Sequence, residues 1–269
     1  MTSNTPRFRP QAGAGYCPRP VPGAALRLFL FHHAGGSHLL YRDWIAHFPA
    51  DWEIHLLDAP GRGRLTDLPA CADAERLVDF FHDEIVLAMD RPFAFFGHSM
   101  GGLAAYELTN RLAAEGLPLP VWLGLSARGA PRQPGPADNR HRMPDAELRH
   151  HLARMGGTPP EVLEDPDIWQ LFGPMIRNDL RLVETWSPRP HTPPLSVPLS
   201  VFGGADDVVV SPERLAAWQQ HAERFLGLHL FDGDHFYFRG RPAEMVRLIT
   251  EQVRTATATA GRPVAGAVR

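Results

Sequence analysis

The sequence contains no lysine; all 27 basic side chains are arginine. This reads as the codon usage of a GC-rich genome rather than as selection for bidentate arginine contacts. Against 30 acidic residues it leaves a net charge of -3, which offers no basic footprint for nucleic acid. Cysteine is nearly absent. Cys17 and Cys71 have neither metal-ligand spacing nor the numbers for a disulfide framework, so both are expected as reduced thiols. No apolar run approaches the ~20 residues that span a bilayer, and the opening MTSNTPRFRP lacks the apolar core of a signal peptide. No nucleic-acid or membrane partner is expected, and the expected location is the cytoplasm.

What is present is a chain of 269 residues, 44% hydrophobic and 21% charged, enough for a sizeable core. Residues 1–24, rich in proline, glycine and arginine, predict a flexible arm, and 257–269 a disordered tail. Between them, apolar strands and helical patterns alternate. LRLFLFHH (26–33), EIHLLD (53–58), FAFF (93–96), VWLGLS (121–126), LSVFGG (199–204) and LHLFD (228–232) read as strands. Leu40, Trp44, Ile45 and Phe48 share a helical face. Leu77, Phe81 and Ile85 mark a helix capped by Asp73, another runs from about 100 to 115, and one starts at Pro242. This alternation predicts one α/β domain over 25–256, with a mostly parallel sheet covered on both faces. Residues 131–194 break the rhythm with 12 of the 27 prolines, yet carry helical stripes through Leu148, Leu152, Met175 and Ile176. They read as a helical lid inserted between two strands, with a kink at Gly173-Pro174.

Gly97-His98-Ser99-Met100-Gly101 fits G-x-S-x-G between a strand and a helix, the context that motif requires. Small residues permit a sharp turn that lifts a serine hydroxyl above the sheet edge, where the helix points its positive end. A serine needs a base, and the Ser-Asp-His chain order points to the late His235, in FDGDHFYF. The acid that orients the imidazole is expected at Asp207, three residues after Gly204, with Asp206 as a local cap. Asp58 and Asp234 are expected to serve their own loops, and His98 to pack. His32, His33 and His38 lack a carboxylate or thiolate in ligand spacing, so no metal is expected. Oxyanion donors are expected at the backbone N–H of Met100 and of Ala34, in the HAGG stretch after the first strand.

The chain resembles the type II thioesterases, stand-alone α/β-hydrolase enzymes associated with polyketide synthases and nonribosomal peptide synthetases. The resemblance rests on FHHAGGS (31–37), LLDAPGRG (56–63), FFGHSMGGLAAYEL (95–108), VFGGADD (201–207) and FDGDHFYF (231–238). The stretch from GGTP (156–159) through Arg177-Asn178-Asp179 to Glu184-Thr185-Trp186 carries it further. The likeness implies hydrolysis of acyl groups from the phosphopantetheine thiol of a carrier protein, with no cofactor of the enzyme's own. It implies the same triad and oxyanion positions as above. Trp186 stands where the family pattern has tyrosine, a change expected to alter only lid packing. The lid residues Leu148, Leu152, Met175 and Ile176 either border an acyl channel or pack on the sheet. A carboxylesterase or acyltransferase of the same fold, acting on free small esters, remains the alternative reading.

Overall fold

Strands buried on both faces of a parallel sheet need apolar side chains at nearly every position, and the central strands here have them. In the computed structural model, which describes residues 15–131 and 139–260, seven strands form one sheet. They are β1 (Gly15–Tyr16), β2 (Leu26–Phe31), β3 (Trp52–Leu57), β4 (Phe93–His98), β5 (Leu123–Ser126), β6 (Leu199–Gly204) and β7 (Phe225–Phe231). Their order is β1-β3-β2-β4-β5-β6-β7, and only β1 runs antiparallel to its neighbour.

The two-residue alternation of a strand sorts the core. Phe29, Phe31, Phe93 and Phe95 face one layer, built from α1 (Ala74–Ile85), α2 (Met100–Glu115) and residues beyond β5. Leu28, Leu30, Ala94 and Phe96 face the other, with Tyr41, Trp44 and the apolar stripe Met245, Val246, Ile249 and Val253 of the final helix. Asp73 caps α1 by accepting the Arg76 amide at 2.9 Å. The segment His38–His47 is a 3₁₀ helix. Its i, i+3 eclipse sets Tyr41 edge-on to Trp44, ring centres 5.0 Å apart.

Between β5 and β6 lie α3 (Asp145–Met155), α4 (Pro160–Glu164) and α5 (Pro166–Thr185). Leu148, Leu152, Leu163, Trp169, Ile176 and Leu180 form a small core of their own among these helices. The helix α5 stays one element across Gly173-Pro174, with buried residues on both sides of the proline. The short α6 (Pro212–Ala216) follows β6, and α7 (Pro242–Ala260) closes the order.

Two boundaries need correction. The expected arm does not extend to residue 24, because Gly15 and Tyr16 pair with Leu57 and Leu56. The Arg64 guanidinium lies 4.8 Å from the Tyr16 ring centre, and Arg19 donates to the Pro49 carbonyl. Nor does a tail begin at 257: α7 continues to Ala260, and Thr257 returns its hydroxyl to the Val253 carbonyl. Residues 1–14 and 261–269, where the rest of the arm and tail were expected, lie outside the described residues.

Candidate active site

Ser99 occupies the turn from β4 into α2 with φ 55° and ψ -110°, a region that costs an L-residue about 1–3 kcal/mol. The neighbours make this possible. A Cβ on Gly97 would collide with the Gly101 carbonyl, and one on Gly101 would collide with the Phe31 carbonyl. The Ser99 amide is tied to the Ser126 carbonyl at 2.8 Å, which holds the turn at the sheet's C-terminal edge. Met100 opens α2, so its amide has no intrahelical acceptor.

Two later strands deliver the polar partners to the same edge. The strand β6 ends at Gly204 and leads to Asp207; β7 ends at Phe231 and leads to His235. Asp207 Oδ2 and His235 Nδ1 are 2.7 Å apart, both residues buried. The other oxygen, Oδ1, accepts the amides of Val209 (2.7 Å) and Val210 (3.2 Å), so the carboxylate is held at both ends. Asp206 is exposed instead. Asp234 accepts the Phe236 amide in its own loop, and Asp58 gathers the His38 amide, the His38 ring and the Arg64 amide.

Two further histidines next to the site, His98 and His33, pack. His98 is fully buried, with Nδ1 2.8 Å from the Ser126 hydroxyl and its ring centre 5.0 Å from that of His235. Burial, then repulsion from His235, pushes its pKa well below 6.5, so it is neutral. Burial likewise holds His33 down to about 4; its Nδ1 lies 2.7 Å from the Ala34 carbonyl.

A cavity of about 420 Å³ opens between this edge and α3–α5. Ser99, His235 and Ala34 border it, as do Leu152, Ile176 and Leu180. Of the four lid residues singled out in the sequence, Leu152 and Ile176 reach it. Leu148 belongs to the small helical core and Met175 does not line the cavity. Trp186 does more than alter lid packing, because its indole forms part of the cavity wall, edge-on to Tyr106. The lining is also more polar than an apolar acyl channel: Arg128, Arg140, Glu184 and Arg214 border it too.

A profile of the thioesterase domain matches residues 26–253. The chain belongs to the thioesterase family. It is 31% identical to the gramicidin S biosynthesis protein GrsT of Aneurinibacillus migulanus over 232 residues, 86% of this chain and 90% of that one. Among solved structures, the type II thioesterase BorB from the borrelidin cluster superposes with a TM-score of 0.80 at 32% identity, covering 89% and 97% of the two chains. YbtT, the type II thioesterase of the yersiniabactin pathway, gives 0.82 at 30% identity, covering 91% and 99%. The mostly parallel, helix-flanked sheet is thus the α/β-hydrolase fold of this family, and the chain is a thioester hydrolase.

Within this thioesterase, one buried cluster was not singled out as functional from sequence. Asp179 of α5 accepts the Gly35 amide at 2.7 Å and forms a bidentate pair with Arg62, whose Nη2 is 2.7 Å from Oδ1. Both residues are buried. The available signal was an acid inside an apolar helical stripe, at the end of Arg177-Asn178-Asp179. Away from the cavity, Cys17, Glu53 and His55 place possible metal-ligand atoms within 4.8 Å of one another near the β1–β3 edge. Glu53 is already engaged there. Burial opposes its charge, yet hydrogen bonds from Arg27 and His55 bring its carboxyl down to about 2. No helix among the described residues is long and apolar enough to cross a membrane.

Proposed function

We propose that the enzyme clears acyl groups from the phosphopantetheine thiol of a carrier protein in polyketide or nonribosomal peptide assembly, with Ser99, His235 and Asp207 as its triad. Ser99 Oγ attacks the thioester carbonyl while His235 Nε2 takes its proton. The oxyanion forms against the amides of Met100 and Ala34. Its collapse breaks the C–S bond, and His235 returns the proton to the departing thiolate. Water then adds to the acyl-serine with His235 again as base, releasing the carboxylic acid and restoring the hydroxyl. Asp207 fixes the imidazole tautomer and stabilises its cation. The enzyme's own residues suffice for every step, so no cofactor is invoked.

One observation carries this reading: the doubly anchored Asp207 bonds His235 Nδ1, and His235 and the strained Ser99 border one cavity. The relatives associated with borrelidin and yersiniabactin biosynthesis support the carrier-bound substrate. The test is a panel of acyl-carrier proteins set against simple oxygen esters. Faster release of short acyl groups from the carrier is expected, and equal rates on both would favour a general esterase.

A further inference from the structure

The cavity walls carry more positive charge than their carboxylates offset. Among the described residues, its charged lining is Arg128, Arg140 and Arg214 against Glu184 alone, since buried His33 is neutral. Glu184 is already engaged, accepting from Arg140 Nε at 2.7 Å and contacting His141 Nδ1 at 2.6 Å. Arg214 lies over Gly129 and donates Nη1 to the Val209 carbonyl at 3.1 Å, while its Nε is buried without a partner. Arg128 rests its guanidinium 4.9 Å from the Trp186 ring centre. No carboxylate of the described residues forms an ion pair with it. Glu107 attracts it from a neighbouring hollow, but burial and then Arg214 act the other way and bring its pKa down to about 10. It therefore stays charged at neutral pH. Arg128 is half-buried in the cavity wall, and an arginine fork suits a carboxylate or a phosphate.

The position is informative as well. Arg128 follows Ser126, whose carbonyl holds the Ser99 amide, by two residues. Its Cβ lies 3.1 Å from where a Cβ on Gly102 would sit, in the first turn of the helix that begins after Ser99. Ser99 and Arg128 line the same cavity, and a group bound by Arg128 would share it with an acyl chain attached at Ser99.

We propose that Arg128, assisted by Arg214, forms an anion subsite in this cavity, and that the acyl groups released include half-thioesters of short dicarboxylic acids. This rests on the thioesterase reading above and adds the substrate class. The reaction balances as for any thioester: water is consumed, the C–S bond breaks, and a free thiol and a second carboxylate form.

The test compares succinyl with 4-oxopentanoyl, a neutral near-isostere, each carried on N-acetylcysteamine, which has no phosphate. The kcat/KM ratio of succinyl to neutral should be about 10 or more in the wild type and should fall towards one in Arg128→Gln. Arg128→Lys should keep part of it. A wild-type ratio of one or below overturns the proposal without any variant, as does a ratio that Arg128→Gln leaves unchanged. A dependence on Arg128 that emerges only with phosphopantetheine thioesters assigns the side chain to the phosphate and overturns the acyl subsite. To separate this from failure of the thioesterase reading, the same two ligands are titrated calorimetrically into Ser99→Ala. Tighter succinyl binding, lost on adding Arg128→Gln, upholds the subsite even if turnover proves slow; equal binding of the two ligands overturns it.

Discussion

Asp179 joins a helix of the inserted segment to the loop proposed to bind the oxyanion, and removing its carboxylate should separate stability from catalysis. In Asp179→Ala the Arg62 guanidinium stays buried without its counter-charge, and its Nε already lacks a partner. Losing one half of a buried pair costs about 3–5 kcal/mol. The Gly35 amide loses its acceptor in the same step, at about 1–3 kcal/mol. Against a total stability of about 5–15 kcal/mol, that variant should be barely folded. Replacing both partners, Arg62→Met with Asp179→Leu, removes the stranded charge and should restore most of the loss. It does not restore the acceptor for Gly35. The loop carrying Ala34 should then be loose, and kcat should fall by about 10- to 10³-fold with KM little changed, because the donor acts in the transition state. Guanidinium denaturation gives the first quantity, and steady-state thiol release gives the second. A double variant that is both stable and fully active would refute the anchoring role of the pair.

Ser99→Ala should abolish acyl-enzyme formation and lower kcat by as much as ~10⁶, read by mass spectrometry of the trapped intermediate and by turnover; a near-normal rate would remove the nucleophile assignment. Asp207→Asn should lose orders of magnitude more activity than Asp206→Asn, since only Asp207 contacts His235; the reverse ranking would exchange their roles. Stability should decline as pH drops below about 6.5. Burial holds His32 down to about 3, His33 to about 4 and His98 well below 6.5, so the unfolded chain binds more protons across that window. Each histidine contributes a slope approaching about 1.4 kcal/mol per pH unit, with its full stabilisation present above 6.5. Urea midpoints that do not differ between pH 7.5 and pH 5.5 would count against it.

Much of the sheet was legible because its signals are local. Apolar runs ending in Gly97 or Gly204 mark strand and turn together, and Asp73 announces α1 before its first apolar residue. The boundary at the N-terminal end was not legible, for the opposite reason. Gly15-Tyr16 has no strand-like pattern and is ordered only by Leu56 and Leu57 across the sheet. The Asp207–His235 contact was accessible from order and spacing, since both residues follow strand ends. The cavity wall was legible only in part: the helical stripes marked Leu152 and Ile176, whereas Arg128 and Arg214 come from separate segments without a local signature.

Contacts between distant segments also decide which part of the inserted region can move. Gly35 and Asp179 are 144 residues apart, yet α5 cannot swing outward without stranding the Gly35 amide and the Arg62 guanidinium together. Ile176, one turn before Asp179, reinforces the clamp: a Cβ on Gly35 would lie 2.9 Å from its Cγ1. The helix α3 is linked to α5 by the pair between the exposed Asp145 and Arg177, and it is followed by Gly156 and Gly157, both at positive φ. A lid motion that admits substrate should therefore belong to α3 and α4, with α5 acting as a fixed wall. Hydrogen exchange tests this directly. Amides of α3 should exchange well before those around Asp179 and Leu180 in α5, and Arg62→Met with Asp179→Leu should bring the two rates together. Equal protection of α3 and α5 in the wild-type enzyme would mean that the whole insertion opens as one body and that the buried pair does not set the hinge.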